Sequence, residues 1–370
     1  MSNQGPRRYR LADYAVSPGS PPPRLSIRRI LRAIVNAGCC LYAASVLGFW
    51  GAARWSYPAF WPTHLLLYGP RWLACLPVLL LAPLVIWLRL RWSGLALGVA
   101  VVSFLGIWGF NVPWRNLVSP GEESRTRLRV LTCNVQGRDL RRADLADLVR
   151  QERPDVVLLQ ECSLPDPGVV LGHEGWYIRS AGEFCLASRY PIEDFEALPR
   201  PDKTYRIIAV RARVSWSGKM IPIVAVHLMT PRRGLEAIIG SPTRGIGAFR
   251  EVAAVQRFES KLLRRWIEDC AGSILLAGDF NLTVEHPLFR RDWSEYTDAF
   301  TQMSWGLGHT MFTRQIGLRI DHILCGTDWR PIRCWVGPEV GSAHRPVMAD
   351  LIRDDPTTHG SGDEVQSPMA

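Results

Sequence analysis

Six short runs in this chain place chemically able side chains at the ends of apolar stretches, or inside them. Asn134 follows Val130-Leu131-Thr132-Cys133, Gln160 and Glu161 follow Val156–Leu159, and His227 follows Ile223–Val226. Asp279 and Asn281 follow Ile274–Ala277 across Gly278, Asp321 and His322 interrupt Leu318–Leu324, and His344 precedes Arg345-Pro346 and a further apolar run. Taken singly, each has an ordinary reading: Asn after a strand and Gly-Asp-x-Asn are turn sequences, and a strand-end His is commonly structural. Taken together they supply hard oxygens (Glu161, Asp279, Asn134, Asn281) and imidazoles (His227, His344). Hard oxygen donors suit Mg²⁺ or Mn²⁺. No Cys-x-x-Cys or His-Glu-x-x-His run is present, which argues against a dedicated zinc site.

For these side chains to meet in one cleft, the apolar runs must be strands of one scaffold, with their ends on one rim. The pattern predicts strands over 128–132, 156–159, 184–187, 207–214, 221–226, 274–277, 320–324 and 347–351. A helix over 144–151 carries Leu145, Leu148 and Val149 on one face and stops at Pro154, and 247–267 is the longest helical pattern. Strands outnumber helices, so the expected class is α/β, with sheets covered by helices on one side. Residues 121–354 suffice for one domain with a full core, and the polar stretch 355–370 reads as a disordered tail.

In order, Thr132-Cys133-Asn134, Leu159-Gln160-Glu161, Ala187-Ser188-Arg189-Tyr190-Pro191, Val226-His227-Leu228, Gly278-Asp279-Phe280-Asn281, Arg319-Ile320-Asp321-His322-Ile323 and Ser342-Ala343-His344-Arg345-Pro346 are similar to the endonuclease/exonuclease/phosphatase superfamily. Gly306-Leu307-Gly308-His309-Thr310 resembles a loop of the same family. The resemblance covers about 127–353 and implies a four-layer α/β sandwich of two packed sheets flanked by helices. It implies a hydrolase of phosphodiester or phosphomonoester bonds that uses Mg²⁺ or Mn²⁺. Glu161 would ligate the metal with Asn134 nearby, and Asp279 and Asn281 would position or deprotonate water. His344, oriented by Asp321, would be the general acid/base or phosphate-binding imidazole, and His227 would contact a phosphoryl oxygen. Glu183 stands where some members place an acid that orients this His. Arg232 and Arg233, in the loop after His227, are candidates for binding substrate phosphate, against a plain reading as a solvated loop.

One position departs from the family. Ser-Asp-His is usual before the last strand, whereas this chain has Ser342-Ala343-His344. Loss of that acid leaves a rival reading: a catalytically degenerate, membrane-tethered binding module. The inositol-phosphatase signatures are replaced by Ala277 and Ile320-Asp321-His322, which disfavours that branch.

The first third reads differently. Residues 33–53, 72–88 and 92–114 carry no charged residue and are flanked by arginines, which predicts three transmembrane helices. The second is short and holds Pro77 and Pro83, which spanning helices tolerate. Expected boundaries are a disordered cytoplasmic tail over 1–29, a membrane region over 30–115, and the α/β domain from 121. Trp50, Trp55, Tyr57, Trp61, Tyr68 and Trp72 suggest that the first connection lies along the membrane–water boundary. Seven arginines precede the first span, so the positive-inside rule places the N-terminus in the cytoplasm and the domain outside it.

Charge narrows the partners. The net +10 resides entirely in the first third: residues 1–120 hold 12 Arg and one acid, Asp13, while residues 121–370 hold 32 basic and 33 acidic residues. A nucleic-acid footprint is therefore not supported in the domain. The expected partners are a phosphate-ester substrate and the lipid bilayer, and no protein partner is inferable. Of the nine cysteines, Cys325 and Cys334 are the pair to test for a disulfide in an oxidising compartment.

Overall fold

The computed structural model describes residues 26–55, 61–114, 126–136, 140–164, 166–172, 175–202, 204–270, 273–313 and 316–354. The expected tails, apart from residues 26–29, lie outside these residues.

The chain opens with helices α1 (Ile27–Trp55), α2 (Trp61–Tyr68), α3 (Leu76–Leu88) and α4 (Arg91–Trp108). Next come β1 (Arg127–Asn134), α5 (Arg142–Glu152), β2 (Val156–Gln160), α6 (Gly168–Leu171), β3 (Tyr177–Ala181) and β4 (Phe184–Ser188). β5 (Ile192–Pro199), β6 (Ile207–Trp216), β7 (Lys219–His227), α7 (Arg232–Gly240), α8 (Pro242–Trp266), β8 (Leu275–Asp279), α9 (Pro287–Trp293) and β9 (Thr297–Asp298) follow. The chain continues through α10 (Ala299–Met303), β10 (Met311–Phe312), β11 (Gly317–Leu318), β12 (Asp321–Cys325), β13 (Trp329–Val336) and β14 (Val347–Arg353).

Two six-stranded mixed sheets, ordered β13-β14-β1-β2-β4-β3 and β5-β6-β7-β8-β12-β9, pack face to face. Their strands are apolar on consecutive residues because both faces are covered. Alternation sends Val130, Leu158 and Leu186 inward to meet Val210, Ala225 and Ile323 of the other sheet. Leu131, Leu159 and Met348 point outward onto Leu145, Leu148 and Val149 of α5. Val224, Leu276 and Leu324 do the same under Leu263 of α8 and Leu288 and Trp293 of α9. Helix, sheet, sheet and helix form the four layers.

Each sheet contains one parallel pair, β1–β2 and β7–β8, while all its other pairings are antiparallel. The registers Asn134↔Gln160 and His227↔Asp279 bring the carboxyl ends of these pairs together. Gly278 permits the close approach of β8 to β7. Its φ is +147°, and a Cβ there would lie 2.1 Å from the Val226 carbonyl oxygen.

Three N-terminal segments, Ile27–Ala53, Arg71–Leu88 and Arg91–Trp108, are long and apolar enough to cross a membrane. Exposed Leu41, Leu79, Ile86, Trp87 and Val102 give them an apolar exterior. Asn36 of α1 and Ser93 of α4 hydrogen-bond across the helix pair, as polar side chains do between spanning helices.

The details depart from the sequence expectation at three points. α1 begins at Ile27 rather than at 30, because the Ser26 side chain accepts from the Arg29 N–H and caps it. The second candidate span is a 3₁₀ turn, Arg71–Cys75, leading into α3, whose first turn accommodates Pro77. α4 stops at Trp108, where Gly109 takes a left-handed cap with φ +81°, rather than running to 114. Asn111 then pairs with Gly306 of the domain and donates to the carbonyls of Thr301 and Ser304. The first connection also contacts the domain. α2 buries Thr63, His64, Leu67 and Tyr68, and Leu67 and Tyr68 pack on Leu318 and Ile320 of the domain.

Cys325 and Cys334, the pair considered for a disulfide, are buried free thiols in the inter-sheet core. Burial raises both their pKa values.

Candidate active site

The rim where the two sheets meet gathers Asn134, Glu161, His227, Asp279, Asp321 and His344 around a cavity of about 660 Å³. Asn134 ends β1. Its Oδ1 accepts from the Gln136 N–H at 2.9 Å, and its Nδ2 donates to Glu161 Oε1 at 2.9 Å and Asp279 Oδ2 at 3.1 Å. The Gln136 N–H can only donate, so this orientation of the amide is fixed. The amide thus turns its nitrogen towards the acids and hydrogen-bonds two carboxylates.

Glu161 follows β2 with φ +51°, a left-handed turn that lifts it off the strand into the cavity. His227 Nε2 lies 3.5 Å from Glu161 Oε1 and 3.8 Å from Asp279 Oδ2. Burial, then the charges of Arg206 and His344, hold this imidazole down at about 3, so it is neutral. Glu183 lines the same cavity but forms no ion pair with His227 among the described residues; its carbonyl accepts from the Cys162 N–H. The carboxylates described beside His227 Nε2 are those of Glu161 and Asp279.

Asp279 is buried, and its Oδ1 accepts from the Asn281 N–H at 2.8 Å. Burial and neighbouring Asp321 push its carboxyl well above the ordinary range, against the pull of His344. Asn281, at φ +52°, ties the loop to β7 by donating its Nδ2 to the Leu228 carbonyl. Its own carbonyl accepts from the Tyr68 hydroxyl at 2.9 Å, so a residue of the N-terminal region holds the site.

Asp321 starts β12 opposite Asp279. Its Oδ2 accepts from the Thr310 hydroxyl at 2.6 Å and from His344 Nδ1 at 2.9 Å. Burial alone would discharge His344, but Asp321 and Asp279 outweigh it and raise its pKa to about 9. Its Nε2 lies 3.9 Å from Asp279 Oδ2. His322 points away through strand alternation, bonded to Asp298 and the Leu282 carbonyl.

Arg232 reaches the cavity mouth, paired with Glu236 at 2.8 Å on an exposed surface, whereas Arg233 is not among the lining residues. Arg206, Gln136, Thr310, Ser342 and Tyr68 belong to the site's surroundings, and none of them has a role at the site that was read from the sequence. Ser342 donates to the Asn134 carbonyl at 2.7 Å and accepts from the His344 N–H, locking the two ends of the site together.

A hard divalent cation fits these residues. Ligand atoms of Asp279, Asp321 and His344 lie within 4.8 Å of one another. Glu161 and Glu183 line the cavity without an arginine or lysine partner among the described residues. Concentrated carboxylate charge of this kind is a donor set for oxygen-seeking ions.

The chain is similar to the 3′ phosphatase NExo from Neisseria, at 21% identity over 61% of this chain and 99% of that one, TM-score 0.48. It is similar to an AP endonuclease from Archaeoglobus fulgidus, at 15% identity over 62% and 100%, TM-score 0.47. It is also similar to an endonuclease/exonuclease/phosphatase family protein from Bacteroides thetaiotaomicron, at 16% identity over 62% and 99%, TM-score 0.48. Among curated protein sequences none matches. The model of the Endonuclease/Exonuclease/phosphatase family matches residues 131–344, more than half of the chain and every residue from Asn134 to His344 described above, and the chain belongs to that family.

Proposed function

We propose that the chain is a membrane-anchored hydrolase of phosphoric esters that depends on a divalent cation. The observation that carries this reading is the junction of Glu161 with the buried Asp279, Asp321 and His344 at the shared rim of the two sheets. Glu161 would hold Mg²⁺ or Mn²⁺, and such an ion neutralises charge on phosphoryl oxygens. Asp279, with its raised affinity for protons, accepts the proton of water at its Oδ2. His344, kept cationic by Asp321, meets a phosphoryl or leaving oxygen with its Nε2. Neutral His227 offers a ring nitrogen to a second phosphoryl oxygen, and Asn281 holds the Asp279 loop. Full-length protein should hydrolyse bis-p-nitrophenyl phosphate with Mg²⁺ or Mn²⁺ and stop with excess chelator. Glu161→Gln should be inactive while melting like the parent; undiminished turnover at saturating Mg²⁺ would remove Glu161 from the site.

Ala343 favours a second reading, a degenerate binding module. The residue is exposed at the cavity, so a carboxylate placed there stays hydrated and costs little in folding. Ala343→Asp should tighten apparent metal affinity by about 10–100-fold, the usual scale for a group beside a metal site. Metal titration with thermal melting as control checks this. No activity in either protein over DNA, RNA, sphingomyelin and bis-aryl phosphate would favour the binding module.

For topology, we propose a cytoplasmic N-terminus and an extracytoplasmic domain. The support for this orientation is the arginine bias; the contact of α2 with the domain is compatible with three crossings, which put the first connection and the domain on one side in either orientation. A C-terminal alkaline phosphatase fusion should be active, and a fluorescent protein that folds only in the cytoplasm should be dark; the reverse pattern would overturn the orientation.

A further inference from the structure

Besides the catalytic groups, the cavity is lined by Leu235 and Ile239 of α7, Met311 and Phe312 of β10, Ile316, and Leu318 of β11, with Arg232 and Glu236 of α7 also in its wall. Leu235, Met311, Ile316 and Leu318 pack together in one apolar cluster, which forms an apolar arm of the cavity. On α7 the spacing is i, i+4, so Leu235 and Ile239 share the face turned to the cavity while Ile238 is buried beneath. Ile239 is 72% exposed and Phe312 38% exposed, large apolar side chains left open beside a charged centre. A site for a small, highly charged ester has no use for such a wall.

The wall's position identifies its occupant. Tyr68 lines the cavity three residues before Arg71, where the second candidate span starts. At no more than ~3.6 Å per residue, its backbone lies within about 11 Å of that span. The polar zone of one bilayer leaflet is about 5–8 Å deep, so lipid phosphates come within reach of the site. Trp72 and Leu73, directly after Arg71, are exposed apolar residues at the entry to the span.

We propose that the apolar arm takes the hydrocarbon chain of an amphiphilic phosphate ester drawn from the bilayer the protein's own helices span. The phosphate lies at Glu161, Asp279 and His344, and the chain runs along α7 and β10. This rests on the hydrolase reading above, since it assigns the substrate class of that same site. The domain's balanced charge argues against a polyanion as the preferred occupant.

The test is titration calorimetry of full-length protein in nanodiscs with Mg²⁺, using methyl, butyl, hexyl and octyl phosphate and octanol, with empty nanodiscs as blank. Each added pair of methylenes should tighten binding by about tenfold until the arm is full. Ile239→Asp and Phe312→Asp, both at open positions that tolerate charge, should each weaken octyl phosphate at least about tenfold while methyl phosphate binding stays unchanged. Methyl and octyl phosphate of equal affinity would overturn the arm and leave the hydrolase reading intact. Octanol binding as tightly as octyl phosphate would instead overturn phosphate recognition, and with it the hydrolase reading. A thymidine tetranucleotide that binds more tightly than octyl phosphate would overturn the proposal in favour of nucleic acid.

Discussion

His344→Gln should lower turnover of bis-p-nitrophenyl phosphate by about 10²–10⁴-fold, the usual contribution of a positioned acid or base. Glutamine keeps a polar group of similar reach but carries no titrating proton. The loss should come with a change in pH profile. His344 must be cationic to act, and Asp321 and Asp279, against burial, raise its pKa to about 9. Activity should therefore fall as pH rises through about 9, and His344→Gln should abolish that alkaline limb. Asp321→Asn should move the limb to lower pH, because the main opposing charge is gone. The same shift enters stability: the folded-state value lies above the ordinary 6.5, so this contribution is complete below about 6.5 and disappears as pH rises through about 9. Turnover of His344→Gln within tenfold of the parent would remove this imidazole from proton handling.

Much of the site was legible because its residues stand at or beside the ends of largely apolar strands. A buried strand such as Val156–Gln160 has one place for a charged residue, the end that leaves the sheet, and Glu161 stands there. The pairing of the two sheets was legible from Val130 and Leu131, where neighbouring positions are both apolar because both faces are covered. Side-chain direction was not. Asn134 reads as an oxygen donor by residue type, yet the Gln136 N–H claims its oxygen and leaves the amide nitrogen to the acids. Glu183 and His227 are brought near one cavity, but which acid faces the ring depends on a left-handed turn at Glu161 that no residue type announces. Thr310 and Ser342, small and common residues, act through hydrogen bonds that residue type does not announce, to Asp321 and to the Asn134 carbonyl.

The contact of the N-terminal region with the domain was the least legible feature, since aromatic residues near charge-free segments read as membrane-boundary residues. Arg71 decides it. As one of two arginines flanking the first connection it reads as a boundary charge; in the structure its side chain is 6% exposed. The guanidinium donates to the carbonyls of Leu67 in α2 and Ile107 in α4 and pairs with Glu285 at 3.3 Å. Glu285 lies four residues after Asn281, so this pair and the Tyr68 hydroxyl grip the loop that carries Asp279 and Asn281. Arg71→Met leaves a buried carboxylate and removes the donors from two helix-end carbonyls. It should cost about 3–5 kcal/mol of stability, the scale for breaking a buried ion pair from one side. Thermal melting of full-length protein in nanodiscs measures it. Arg71→Met combined with Glu285→Met should recover most of the loss, because no buried charge then remains unpaired. A single variant that melts with the parent would show that the pair is not a clamp. A double variant that regains the parent's stability but turns over bis-p-nitrophenyl phosphate more slowly would place the clamp's value in positioning the loop.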